Sequence, residues 1–177
     1  MDTAITLFLD EQAPELAQAH DELYPERIPE HIPLSITLLY PFAPVEELDE
    51  DYLKMARDFF ASRRPLSFDV ARVAQWPDDG AVYGVPEDNG GLRATMRALW
   101  ELFPEFPPYR GVVEGPPPHM SLTLDGGHDA ATLRARVEER LAGLLPAHFD
   151  VDEAVLMEES EPDVFRVRER FPFGSQR

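Results

Sequence analysis

The sequence predicts an α+β fold assembled from two similar halves, and three observations carry that reading. Two runs, Pro33-Leu34-Ser35-Ile36-Thr37-Leu38-Leu39 and Pro118-His119-Met120-Ser121-Leu122-Thr123-Leu124, each open at a proline and then alternate polar with apolar residues. Each run sits in the same order of elements: strand, helix, alternating run, helix, strand. No stretch approaches the ~18 apolar residues that span a bilayer, and a hydrophobic share of 44% is ordinary for a globular chain.

Thr3–Leu9 is expected as the first strand. Without a basic start or a small-residue cleavage site, the N-terminus is not expected to be a signal peptide. Leu16, Ala19 and Leu23 repeat at helical spacing within Pro14–Tyr24, and Pro25 closes that helix. After a proline-punctuated connection, Glu26–Pro33, comes the first alternating run. Proline suits the first position of a strand because it supplies no ladder donor and disfavours helix before it. With a side-chain period of two, Ser35, Thr37 and Leu39 are expected on one face, and Ile36, Leu38 and Tyr40 on the other.

Val45–Arg63 is expected as an amphipathic helix carrying Leu48, Tyr52, Met55, Phe59 and Phe60 on one side, and Leu66–Trp76 as a strand ending in the turn Pro77-Asp78-Asp79-Gly80. The order then recurs. Ala81–Val85 is a strand, Asn89 an N-cap, and Leu92–Phe103 a helix stopped by Pro104. The second run puts His119, Ser121 and Thr123 on one face and Met120, Leu122 and Leu124 on the other. Asp129–Leu145 follows as a helix, then strands at about Phe149–Met157 and Val164–Phe171. The carboxylate-rich piece Glu158–Asp163 reads as a solvated hairpin turn. The two alternating runs are expected to line opposite walls of one polar cleft.

Composition narrows the function. A net charge of −18 repels polyanions, so strong non-specific binding to a nucleic-acid backbone is not expected, while a short nucleotide or an RNA end remains compatible. The chain has no cysteine, which removes disulfides, thiolate nucleophiles and cysteine-based zinc sites and fits a cytoplasmic location. A length of 177 residues accommodates one domain over residues 1–177 with two packed lobes.

The paired runs resemble the two-histidine phosphoesterases, which include the bacterial 2′-5′ RNA ligase and cyclic phosphodiesterase group. That family carries two His-x-Thr/Ser-x motifs on paired strands. His119-Met120-Ser121-Leu122 matches one motif in full, and Ser35-Ile36-Thr37-Leu38 matches the other with serine in place of histidine. The flanks Ile32-Pro33-Leu34 and Leu39-Tyr40-Pro41-Phe42 are similar to the family's surroundings. The resemblance implies a bilobal, pseudo-symmetric fold with antiparallel sheets lining a central cleft and helices outside. It also implies metal-independent phosphodiester chemistry without a cofactor, in which two histidines act as acid and base. Carried over by position, His119 is the acid/base, Thr37 and Ser121 donate to phosphate oxygens, and Ser35 stands where the other histidine belongs.

The chemistry explains why those residue types matter. An imidazole with an ordinary pKa of about 6.5 exchanges protons near neutrality. A hydroxyl two residues along lies on the same strand face, about 6–7 Å away. Serine cannot replace an acid or base, and the loss of one such group typically costs ~10²–10⁴-fold in rate. Three functions follow: a weakened hydrolase acting on 2′,3′-cyclic phosphates, 2′-5′-linked or cyclic nucleotides or RNA ends; a catalytically silent nucleotide- or phosphate-binding protein; or an active enzyme carrying an engineered change at position 35. A small ligand, no membrane and a monomer are expected.

Other candidates are less specific. His31 could stand in for the missing proton carrier only if the chain bends at Pro33, because a straight strand displaces it by ~13 Å. His20, His128 and His148 read as solvated. Arg110 is a possible phosphate partner and Tyr40 a possible ligand contact. Phe42, Trp76 and Tyr83 read as core aromatics able to stack a base. Arg166, Arg168 and Arg170 alternate on a solvated sheet face.

Overall fold

The computed structural model describes residues 1–23, 33–87, 90–123, 129–162 and 164–174. Eight strands, β1 (Thr3–Phe8), β2 (Ser35–Leu39), β3 (Leu66–Gln75), β4 (Val82–Glu87), β5 (Met120–Ser121), β6 (Ala147–Val151), β7 (Glu153–Glu161) and β8 (Val164–Pro172), form one sheet in the order β6-β3-β4-β5-β2-β1-β7-β8. Every neighbouring pair is antiparallel. Four helices, α1 (Pro14–Leu23), α2 (Glu50–Ala61), α3 (Gly91–Leu102) and α4 (Ala130–Arg140), complete the α+β fold expected from sequence.

The pseudo-symmetry is visible in the strand order. The motif strands β2 and β5 lie side by side at the middle, each flanked by the strand that precedes it through a helix: β1 through α1, and β4 through α3. Both motif strands thus fall at the centre of one continuous eight-stranded antiparallel sheet. Only Asp152 separates β6 from β7, although β6 is at one edge of the sheet and β7 is next to the other edge strand. Consecutive Cα atoms are only about 3.8 Å apart, so the two ends of the sheet must approach each other and the sheet curls.

All four helices cover one face. Leu16 and Ala19 of α1, Leu53 and Phe60 of α2, Leu92, Met96 and Leu99 of α3 and Val137 of α4 join Ile5, Leu7, Ile36, Val82 and Met120 of the strands in a single core. Burying each large side chain contributes about 1.5–3 kcal/mol. Among the described residues, the other face carries a small apolar cluster of Ala4, Val155 and Met157, edged by Phe8, Tyr40 and Phe165.

Helix boundaries shift from expectation for local reasons. Asp49 accepts hydrogen bonds from the Asp51 and Tyr52 amides at 3.0 Å each, so α2 begins at Glu50 and not at Val45. Asp129 caps α4 through the Thr132 amide at 3.1 Å. That helix stops at Arg140, short of Leu145, where the chain turns through Gly143 at φ 81°. Asn89, the expected cap of α3, lies outside the described residues; Gly90 holds the cap position at φ 97°.

Candidate active site

The register of the central pair positions the motif residues. Ile36 lies opposite Met120, and directly opposed residues of an antiparallel pair point to the same side. Both are fully buried in the helix-covered core. Ser35 and Thr37 on one strand, and His119 and Ser121 on the other, therefore project to the face opposite the one that the four described helices cover. Neighbouring strands frame them: Phe8 stands opposite Ser35, Thr6 opposite Thr37, and Tyr83 opposite Ser121.

The motif strands are thus adjacent members of one sheet and not opposite walls of a cleft. Alternation reports the face a side chain occupies; it does not report which strand lies alongside. The four motif residues nonetheless share one surface, as the paired motifs require.

His119 is 6% exposed. Its Nδ1 sits 2.9 Å from the Pro117 carbonyl oxygen, which can only accept, so Nδ1 carries the proton. Nε2 then accepts from the Tyr109 hydroxyl at 3.3 Å. Burial holds the His119 pKa below the ordinary histidine value, partly opposed by the Pro117 hydrogen bond. Burial, with a smaller contribution from Tyr40, raises the Tyr109 phenol, which stays protonated at neutral pH.

Aromatic rings enclose the imidazole. Trp76 meets it edge-on at 5.2 Å and Tyr83 at 5.8 Å, and these two rings stack on one another at 4.4 Å. Beside His119 lies a cavity of about 410 Å³, bounded by Trp76 and Tyr109 and by the turn residues Asp78 and Asp79.

Tyr109 reaches this position through an unusual backbone. Tyr109 and Arg110 both occupy the left-handed region, at φ 49° and 55°. For residues with a Cβ that conformation costs about 1–2 kcal/mol each. Two contacts hold it: the Tyr109 amide donates to the Tyr40 carbonyl at 2.7 Å, and the Arg110 guanidinium pairs with Asp2 at 2.7 Å. Arg110, expected as a phosphate partner, is therefore engaged at the surface, while its neighbour enters the site. Sequence reasoning named Arg110 and missed Tyr109; the surrounding Pro107-Pro108 and Gly111 were the available sign of a constrained turn.

Tyr40 departs from simple alternation. The β1–β2 register pairs Thr6 with Thr37 but Ile5 with Leu39, so β2 carries a bulge. Leu39 consequently enters the main core, and Tyr40 packs edge-on to Phe165 at 6.3 Å in the cluster on the site's face, the reverse of the faces expected. Thr123 is structural: its Oγ1 accepts from the Val82 amide at 2.9 Å.

The remaining histidines divide. His20 is 1% exposed and not solvated, because it lies on the core side of α1 beside Ala19. His148 is exposed on β6, bonded to Asp69 at 2.7 Å. His31 and His128 lie outside the described residues. Phe42 packs in the core against Phe103 at 4.9 Å. Arg168 and Arg170 of the edge strand β8 pair with Glu158 and Glu153 of β7. Among the described residues, no group of three or more histidines and carboxylates could hold a metal ion, and no helix is long and apolar enough to cross a membrane.

A family model described as the 2'-5' RNA ligase superfamily matches residues 8–163, a span that includes both motif strands. The chain belongs to that superfamily. Solved structures of similar fold include TT0787 of Thermus thermophilus, 22% identical with TM-score 0.59, covering 99% of this chain and 100% of that one. E. coli LigT solved with 3'-AMP is 14% identical with TM-score 0.65, and LigT solved with NADP+ is 14% identical with TM-score 0.64; each match covers 98% of both chains. At these identities the likeness is one of fold. No curated protein matches the chain by sequence. Superfamily and fold together support a phosphodiesterase-type function.

Proposed function

We propose that this member of the superfamily engages 2′,3′-cyclic phosphates, 2′-5′-linked or cyclic nucleotides, or RNA ends, with His119 as its one acid/base. The observation that carries the reading is the Ile36–Met120 register, which turns Ser35, Thr37, His119 and Ser121 to one face. The hydroxyls donate to phosphoryl oxygens. With Nδ1 protonated, Nε2 acts first as a base, taking the proton of water or of a ribose hydroxyl as that oxygen attacks phosphorus. Ser35 offers no second proton carrier, so the leaving oxygen draws its proton from solvent, and turnover is slower by the ~10²–10⁴ that one general acid contributes. No metal enters this scheme.

A second reading, binding without turnover, is favoured by one observation: Tyr109 already occupies Nε2 of His119.

Hydrolysis of 2′,3′-cyclic mononucleotides and of a 2′-5′-linked dinucleotide near neutral pH, with and without EDTA, separates the two. Slow, EDTA-insensitive hydrolysis that disappears in His119→Ala supports the enzyme. Calorimetric binding without hydrolysis supports the second reading. Hydrolysis undiminished in His119→Ala, or strict metal dependence, overturns the mechanism.

A further inference from the structure

The cavity beside His119 has a composition that a phosphate would avoid. Its polar wall is the pair Asp78 and Asp79, and among the described residues no lysine or arginine lines it. In a chain of net charge −18, two carboxylates at one wall repel an anion. Its apolar wall is aromatic, formed by Trp76 and Tyr109 with Pro116. Its volume, about 410 Å³, falls in the range of about 300–1,000 Å³ typical of small-molecule sites. His119 belongs both to this cavity and to the face bearing Thr37 and Ser121, so the cavity adjoins the motif face.

The part of a nucleotide that enters it must be flat, free of negative charge and rich in N–H donors. A nucleobase meets the first two conditions, stacking on the indole as bases do on aromatic side chains. The third condition discriminates among bases. Guanine presents N1–H and the N2 amino group side by side and can give both to one carboxylate. Adenine and cytosine set a ring-nitrogen acceptor beside their amino group, and uracil flanks its one N–H with two carbonyl oxygens. Each of those acceptors faces a carboxylate unfavourably. Asp79 is fixed in the turn, its Oδ1 accepting from the Ala81 amide at 2.8 Å. Asp78, exposed on the same turn, has no ion pair among the described residues.

We propose that this cavity is a nucleobase subsite that selects guanine, with Trp76 as its stacking wall and Asp78 as the group that reads the donor edge. The inference rests on the nucleotide reading of the site given above and names the substrate class within it.

The test is calorimetric titration of the chain with the four nucleoside 3′-monophosphates, in which the base is the only variable. Guanosine 3′-monophosphate is expected to bind about 10-fold more tightly than the other three, the lower range for one bidentate base contact. Asp78→Asn replaces an acceptor-only group by one that also donates. It is expected to remove the guanine preference while leaving affinity for the other three nucleotides and the thermal midpoint nearly unchanged. Equal binding of all four, a guanine preference that survives both Asp78→Asn and Asp79→Asn, or no binding at all overturns the proposal. Guanine-selective binding without hydrolysis sinks the enzyme and keeps the subsite. Hydrolysis of all four cyclic nucleotides at equal rates keeps the enzyme and sinks the subsite.

Discussion

The Tyr109 hydroxyl lies 3.3 Å from Nε2 of His119, the only nitrogen of that ring left to accept once Nδ1 donates to Pro117. A ligand oxygen that is to exchange a proton with His119 must displace this phenol.

Tyr109→Phe therefore tightens ligand binding. It keeps the ring and removes the competing donor, so affinity for a 2′,3′-cyclic nucleotide should rise about 2- to 10-fold, the net worth of one hydrogen bond. Calorimetry reads it directly. A loss of affinity, or a fall in hydrolysis at saturating ligand, would instead make the phenol part of the chemistry.

The pH dependence of stability follows from His119. Burial holds its folded pKa below the unfolded value of about 6.5, so the unfolded chain binds more protons as pH falls. Its contribution is present above about pH 6.5 and is lost as pH falls towards the folded value. His148 has the opposite sign: its hydrogen bond to Asp69 raises its pKa, so its contribution is full below about 6.5 and fades as pH rises through the folded value. In a His148→Gln background, denaturant midpoints should fall on acidification below about pH 6.5, and His119→Gln should flatten that fall.

Ser35→His should raise hydrolysis by roughly 10²–10⁴, the contribution of one general acid. The gain should vanish when His119→Ala is added, because acid and base act as a unit. Position 35 is 8% exposed, so the larger ring also makes room for itself against Phe8, which stands opposite on β1. A lowered thermal midpoint with unchanged ligand affinity would accompany a faithful replacement. A folded, ligand-binding double-histidine protein that stays inert would assign the motif face to binding.

Gly84→Ala should destabilise without touching the polar face. A Cβ there would stand 2.7 Å from Met120 Cε and 2.8 Å from Val70 Cγ1, on the helix side of β4. Overpacking of this kind costs about 1–3 kcal/mol. Thermal unfolding measures it, and an unchanged midpoint would mean that the Met120 side chain swings away without cost.

The elements were legible in the sequence where the physics is local. Periodicity placed the start of α1 at Pro14, and the motif runs revealed the faces of Ser35, Thr37, His119 and Ser121 because alternation is a property of one strand. What escaped depends on distant parts of the chain. The neighbour of a strand is set by topology, so β2 and β5 read as opposed and are adjacent. Tyr40 changes face because the β1 register forces a bulge that its own residues do not announce. Tyr109 is invisible locally: its backbone is set by contacts to Tyr40 and Asp2, far away in sequence. Trp76 and Tyr83 read as core because nothing in their spacing reveals that they ring an imidazole.

The single residue between β6 and β7 gives the sheet a clasp. The motif strands meet at the middle through β5, which is only two residues long, while the far ends are tethered through Asp152. A ribbon with a narrow waist and joined ends can flex at the waist without coming apart. The line on which Ser35, Thr37, His119 and Ser121 stand is therefore the place where a change of angle between the halves would break the fewest ladder hydrogen bonds. The waist is where the ladder is shortest, and it carries the polar face.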